Sequence, residues 1–299
     1  MKTVLNFMMS SEEYQVTSEI HEKSDVDTSA KPHVSPKNII TNFVFKVPSF
    51  LSWITGNLNG LRVDEDGDLL VRRRNMPAQD AVIAIEQSHS TTLQFVGLQV
   101  WRGALVLADF MLHNGLSLIK DQTVLELGSG TGLSSIVAAM FAEEVICTDV
   151  DIGTILELIK ANFARNNKYI KAKYSVLGLD FYARQWSNNL EAKLTVVSVV
   201  IVADVVYDND LTEAFVRTLE RIMNVPPKKT VFIALEKRYV FTVADLDCVA
   251  PCYDFFIGCL DKAQAKSNPQ WKVDLLPIDF PQFFKYERMK ELVLMRISL

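Results

Sequence analysis

Cysteine and histidine are scarce in this chain, with four of each among 299 residues. Cys147 sits in an apolar run, and Cys248, Cys252 and Cys259 have neither C-x-x-C spacing nor a neighbouring histidine. A zinc site is therefore not expected, and free thiols in a reducing compartment are the natural reading. Positive charge is also thin: 31 Lys and Arg face 36 Asp and Glu, a formal net charge of −5, and Arg72-Arg-Arg74 is the one basic run. That balance leaves no electrostatic footprint for direct nucleic-acid or anionic-membrane binding. No apolar run approaches the ~20 residues of a membrane span, and the opening Met1–Met9 stretch is too short and interrupted for a signal peptide. The expectation is a soluble protein of the nucleus or cytoplasm without a membrane partner.

What the chain does have is apolar content, 49% of residues, enough for one large α/β domain plus an extension. Residues 1–38 are rich in Ser, Glu, Asp, Thr and Lys without apolar period, and read as a disordered or loosely attached tail. Residues 39–92 read as a β-rich extension, with strands at Phe43–Val47, Asp68–Arg72 and Ala81–Ile85, and a further one at Leu93–Val96. From residue 93 to 299 the texture becomes an alternation of buried strands and amphipathic helices. Strands are expected at Thr123–Leu127, Val145–Val150, Tyr174–Leu179, within Thr195–Val206, and at Thr230–Leu235. Helical stripes follow at Ile155–Phe163 and Leu211–Ile222, and a helical region from about Val243 to Leu260. Trp271–Ile278 and Glu291–Ser298 are separated by too few residues for a packed crossover, which suggests an antiparallel return.

One segment carries chemistry more clearly than the rest. Glu126-Leu-Gly128-Ser129-Gly130-Thr131-Gly132 lies between a strand and a helix-like stretch, where alternating glycines permit a sharp turn and a ligand's close approach to main-chain N–H groups. Asp149 closes the next strand roughly twenty residues past the first glycine, where doubly wound folds hold ribose hydroxyls. The third glycine of the dinucleotide fingerprint is replaced by Leu133, and nothing basic lies in the turn. Glu126 at its head suits a ligand with a positive centre and hydroxyl or amine donors, as in S-adenosyl-L-methionine, better than a pyrophosphate.

Leu98-Gln-Val-Trp101-Arg-Gly-Ala, the glycine turn, Asp149, Leu179-Asp180-Phe181 and Ala203-Asp204-Val-Val-Tyr207, in that order and spacing, resemble the family 16 protein methyltransferases, which are mostly lysine-specific. The resemblance covers about Leu93 to the C-terminus. It implies an α/β fold, the seven-stranded Rossmann-like methyltransferase sheet, with a small β-rich N-terminal extension. It implies that Trp101 walls the cofactor, that Glu126, Gly128, Ser129, Gly130, Thr131 and Ala203 line it, and that Asp149 takes the ribose. Asp180 and Phe181 would hold the adenine, although the family often has Trp in place of Phe181 and Trp186 is an alternative stacking residue.

Asp204 and Tyr207 would lie beside the transferred methyl as catalytic residues, Asp204 binding and orienting the incoming amine, whose proton leaves either to that carboxylate or to water. Free lysine has a pKa near ~10.4, so the attacking nitrogen must shed a proton before transfer. The implied partner is a protein lysine on a nuclear, nucleic-acid-associated or chaperone-associated substrate. Blander readings stand beside these: a core Trp101, a helix-capping Asp149, a turn-forming Asp180, and solvated charges at Glu236-Lys-Arg238. So do a small-molecule or base-amine acceptor and a non-catalytic interaction platform.

Overall fold

The computed structural model describes residues 15–20, 38–55, 80–242 and 247–299. In chain order, β1 (Gln15–Val16), β2 (Asn38–Lys46), β3 (Asp80–Ser88) and β4 (Thr91–Thr92) precede α1 (Arg102–Leu118). Then come β5 (Thr123–Leu127), α2 (Leu133–Ala138), β6 (Glu144–Asp149), α3 (Ile155–Arg165), β7 (Lys173–Gly178) and α4 (Asn188–Leu194). The chain continues through β8 (Val199–Ala203), α5 (Asn209–Met223), β9 (Thr230–Glu236), β10 (Val240–Thr242) and β11 (Asp247–Val249). It closes with α6 (Pro251–Lys266), β12 (Lys272–Leu276) and β13 (Leu292–Ser298).

Seven strands form one sheet in the order β12-β13-β9-β8-β5-β6-β7. All neighbours from β7 to β9 are parallel, and β13 runs antiparallel between β9 and β12. This is the seven-stranded Rossmann-like arrangement. Its central strands β5, β6, β8 and β9 are apolar because both faces are covered. Val124, Val145, Val199, Ile201 and Phe232 face α1, α2 and α3, while Leu125, Ile146, Val200, Val202 and Ile233 face α4, α5 and α6. Each fully buried aliphatic side chain of this kind contributes about 1.5–3 kcal/mol. The stripe on α5 buries Ala214, Phe215, Leu219 and Ile222, and Asp208 starts the helix by accepting the Leu211 N–H at 2.9 Å.

The N-terminal extension is bound to this sheet through α3. β2 and β3 pair antiparallel along nine residues, from Asn38 opposite Ser88 to Lys46 opposite Asp80. The outer edge of β3 is satisfied by side chains of α3 and the turn after it. Asn162 and Asn166 bridge the N–H and C=O of Glu86 and Ala84, and the Tyr169 hydroxyl does so for Val82. These residues repeat at close to helical spacing against every second residue of the strand, which is how a helix can stand in for a strand partner. Asn162 also donates to the Thr131 carbonyl at 2.9 Å, tying the extension to the glycine turn.

Several expectations fail here. Leu93–Leu98 is a 3-10 segment rather than a strand. The helix expected from about Val243 begins only at Pro251, because β10 and β11 first form an antiparallel pair. Gln15–Ile20 is held rather than loose: β1 pairs with β4, and Ser18 is fully buried, its N–H on Gln99 Oε1 at 2.7 Å and its hydroxyl on the Val100 carbonyl at 2.6 Å. Contrary to the expectation from apolar runs, Leu93–Leu118 is long and apolar enough by composition to cross a membrane; here it is the 3-10 segment plus α1, with Leu105, Val106, Met111 and Leu112 fully buried. The expected strand at Asp68–Arg72 and the Arg72–Arg74 run lie outside the described residues.

Candidate active site

The C-terminal ends of β5, β6 and β8 open onto a cavity of about 530 Å³. Trp101, Glu126, Gly128, Ser129, Gly130, Thr131, Asp149, Asp180, Phe181, Ala203, Asp204 and Tyr207 all line it, so these twelve residues, far apart in sequence, meet at one place. Its lining includes five carboxylates, the fifth being Asp208, and no Lys, Arg or His among the described residues.

The floor is the glycine turn. Gly130 has φ +56°, and a Cβ there would stand 2.8 Å from the Gly97 carbonyl oxygen, so the close passage of these two backbones requires glycine. Ser129 locks the turn to β6: its N–H donates to the Thr148 carbonyl at 2.9 Å, and its hydroxyl accepts the Thr148 N–H at 3.1 Å. Asp149 spans the next gap, accepting the Gly130 N–H at 2.7 Å on one oxygen and the Val150 N–H at 2.8 Å on the other. It does not cap a helix, since α3 starts at Ile155 with Thr154 before it. Burial pushes its carboxyl up to about 6 against the pull of those two N–H groups.

Glu126 is 1% exposed and accepts the Ser135 hydroxyl. Burial raises it to about 7, the surrounding Ser135, Ser129 and Ser134 hydroxyls hold it down in part, and the charge of Asp149 adds to the rise. Two carboxylates are thus kept from easy ionisation within one lobe. A ligand that brings donors or positive charge would relieve both.

At the far end Asp180 is exposed and accepts the Tyr182 N–H at 2.9 Å, so it shapes its own turn while facing the cavity. Phe181 packs against Phe215 with ring centroids 5.5 Å apart. Trp186 is not part of the lining. Its ring lies under the Arg221 guanidinium at 3.5 Å, which removes it as the alternative stacking residue.

Asp204 has φ +51°, a left-handed conformation that non-glycine residues seldom adopt. One oxygen accepts the Gly103 N–H at 2.6 Å near the start of α1, and the other accepts the Glu236 N–H at 3.0 Å at the end of β9. Gly103 must be glycine, because a Cβ would fall 2.5 Å from the nearer carboxylate oxygen. Burial raises Asp204 to about 6, with Arg238 and the two N–H groups opposing. Tyr207 is pushed up to about 12 by burial, then by the charges of Asp149 and Asp208.

Behind this wall, Glu236 and Arg238 are held by partners. Arg102 donates to both oxygens of Glu236 at 3.0 and 3.2 Å, and Arg238 lies over the Trp101 ring at 4.7 Å while pairing with Glu19 at 3.1 Å. Trp101 itself is fixed by donation of its indole N–H to the Val96 carbonyl at 2.9 Å. The N-terminal segment therefore reaches the back of the cavity wall. Sequence reasoning missed Gly97, whose glycine in an apolar stretch was the available signal, and Tyr182, whose aromatic side chain beside Asp180-Phe181 was another.

A model of the lysine methyltransferase family matches residues 78–247. The chain belongs to this family. The family match takes in β3 as well as the sheet up to β9, in keeping with the way α3 binds them together. Methyltransferase-like protein 22 of Mus musculus is 36% identical over 251 residues, covering 78% of this chain and 63% of that protein. The Homo sapiens protein of the same name is 32% identical over 286 residues, 79% of this chain and 70% of that one. A protein-lysine N-methyltransferase, EFM3, of Chaetomium thermophilum is 28% identical over 174 residues, 52% of this chain and 49% of that protein. The chain thus spans just under two thirds of the mouse relative's length.

Proposed function

We propose that this chain is an S-adenosyl-L-methionine-dependent protein-lysine N-methyltransferase acting on a nuclear, nucleic-acid-associated or chaperone-associated protein, in the nucleus, the cytoplasm or both. The observation that carries the reading is the cavity's lining: a glycine cradle and five carboxylates with no cationic side chain among the described residues. A pyrophosphate would find no positive partner there, whereas a sulfonium with an amino group and ribose hydroxyls meets acceptors on every side. The cofactor fits by that test, and it supplies a methyl group already activated on sulfur.

The rest is the work of this chain. Asp149 can exchange its two backbone partners for ribose hydroxyls, and Glu126 with the Gly128–Thr131 backbone can hold the amino-acid portion. Asp180 and Phe181 offer an acceptor and an apolar face to the adenine. Trp101 closes one side and excludes water, as a large amphipathic ring does. Tyr207, kept protonated well past neutral pH, presents a hydroxyl to the acceptor side. Ionised Asp204 attracts an incoming ammonium, and the proton lost before transfer leaves to water. Family membership supports lysine as the acceptor, and the curated relatives support a protein substrate.

Incubating the chain with tritiated S-adenosylmethionine and a cell lysate, then digesting with protease or nuclease, tests this directly. Protease-sensitive label that hydrolyses to methyl-lysine is expected. Label that survives protease, or no label in any fraction, refutes it.

A further inference from the structure

A second groove lies on the same edge of the sheet as the active site. β12 runs parallel to β8 and β9 through the antiparallel β13, so the end of β12 and the start of β13 stand beside the ends of β8 and β9. Leu292 is in register with Glu236, whose own N–H binds Asp204, and the next residue, Lys237, donates its N–H to the Glu291 carbonyl at 3.0 Å. The groove measures about 470 Å³, and Leu275, Leu276, Ile278, Met289 and Val293 supply the apolar part of its lining. Leu275 is 67% exposed on it.

The charge at its rim is of one sign. Lys237, Arg288 and Lys290 line the groove, and no acidic side chain does among the described residues. Arg288 is neutralised by Asp109 at 2.7 Å. Lys237 sits over the Tyr253 ring at 4.2 Å, and the Lys290 side chain is 92% exposed with Glu291 no nearer than 3.9 Å. These two cations give the groove a positive rim on a protein of net charge −5, which favours an acidic segment there over a basic one.

We propose that this groove docks an acidic, apolar segment of the substrate protein, leucine-like side chains on its apolar lining and carboxylates on Lys237 and Lys290, alongside the lysine presented to Asp204 and Tyr207. The proposal rests on the lysine methyltransferase reading for what the docked protein gains. Binding energy from such a remote site raises the occupancy of the acceptor lysine without touching the reacting atoms.

The test is fluorescence anisotropy of the full chain with a labelled peptide of about twelve residues alternating Leu or Val with Glu, against its counterpart with Lys in place of Glu. The acidic peptide should bind about tenfold tighter and weaken with added salt. Lys237→Glu with Lys290→Glu should abolish that preference, and Leu275→Asp should weaken the acidic peptide several-fold. S-adenosylhomocysteine affinity, read by calorimetry, should be the same in these variants as in the parent, which shows that they fold. Equal binding of the two peptides, binding of neither, or a preference that survives the double charge reversal overturns the proposal. So does a dimer in sedimentation that the same reversal dissolves, since the groove would then be a self-interface. The acidic peptide has no lysine and the assay no cofactor, so its outcome is independent of the lysate labelling that tests the reaction.

Discussion

Replacing Asp149 by Asn keeps the shape of the side chain and removes its charge. In the parent both oxygens are acceptors, holding the Gly130 and Val150 N–H groups until a ligand's hydroxyls compete for them. A hydrogen bond to a charged group is worth about 1.5–3 kcal/mol and a neutral one about 0.5–1.5. The amide also turns one acceptor into a donor. The expected loss is about 1–3 kcal/mol, or about 5- to 150-fold in S-adenosylhomocysteine affinity.

The pH dependence separates this cause from a general disturbance. With its carboxyl raised to about 6, Asp149 is roughly one tenth ionised at pH ~5 and nine tenths at pH ~7, so affinity that requires the anion rises about tenfold across that interval. Glu126, raised to about 7 in part by the charge of Asp149, titrates nearby and remains in both proteins, so the difference between their profiles reports Asp149 together with its coupling to Glu126. Calorimetric titrations at several pH values make the measurement. The ligand-free variant should melt no lower than the parent at pH ~8, because a carboxylate that resists ionisation has been removed. An Asp149→Asn protein that binds within twofold of the parent, or two profiles that run parallel from pH ~5 to ~7, would refute the reasoning.

Three further outcomes follow from the same geometry. Asp149, Asp204 and Glu126 have folded-state values above their unfolded ones, so their contribution is fully present below pH ~4 and is lost as pH rises through about 6 to 7; the melting temperature of the ligand-free protein should fall from pH ~5 to ~8, and bound S-adenosylmethionine should flatten the fall. Asp109 is fully buried and accepts the Phe283 and Phe284 N–H groups, the Tyr286 hydroxyl and Arg288, so Asp109→Ala should cost about 3–5 kcal/mol in urea unfolding by leaving those donors and a cation unpaired; a loss below about 1 kcal/mol would show that the network contributes little. Glu19→Gln should release Arg238 from its ion pair and weaken S-adenosylhomocysteine binding several-fold through Trp101, with little change in melting temperature; unchanged affinity would mean that the N-terminal segment only covers the wall.

What was legible in the sequence depended on how local its cause was. The β5-turn-α2 unit could be read because an apolar run, three alternating glycines and a helical stripe are contiguous, and the two nearby acids that marked it line the same cavity. Gln15–Ile20 could not be read, because a short polar segment is ordered here by Gln99 and Val100, more than eighty residues away. Leu93–Val96 reads as a strand because Leu, Phe and Val favour one. Gly97 must instead pass close to Gly130, and the segment takes tight 3-10 turns to deliver Trp101 to the cavity. The extension's dependence on α3 was equally hidden, because side-chain amides at Asn162 and Asn166 substitute for a strand that no apolar pattern announces.

Asp204 shows where motif and chemistry part company. In the sequence it is an acid at the end of a buried strand, a natural partner for an incoming ammonium. In the fold its carboxylate is committed to two backbone donors from segments that are 101 and 32 residues away, and it holds a left-handed backbone to reach them. That residue joins the start of α1 to the end of β9, and Trp101 and Glu236 lie beside the two attachments. A change at Asp204 therefore disturbs the Trp101 wall and the end of β9 together, and lost turnover in an Ala variant would not by itself identify a group that meets the amine. The lone pairs left free on a carboxylate with one N–H on each oxygen are still enough to orient a cation. The same two N–H groups oppose the rise that burial gives its carboxyl, which at about 6 stays far below the amine it would have to deprotonate. Within the proposed reaction, positioning the amine and leaving its proton to water is the division of labour consistent with that difference.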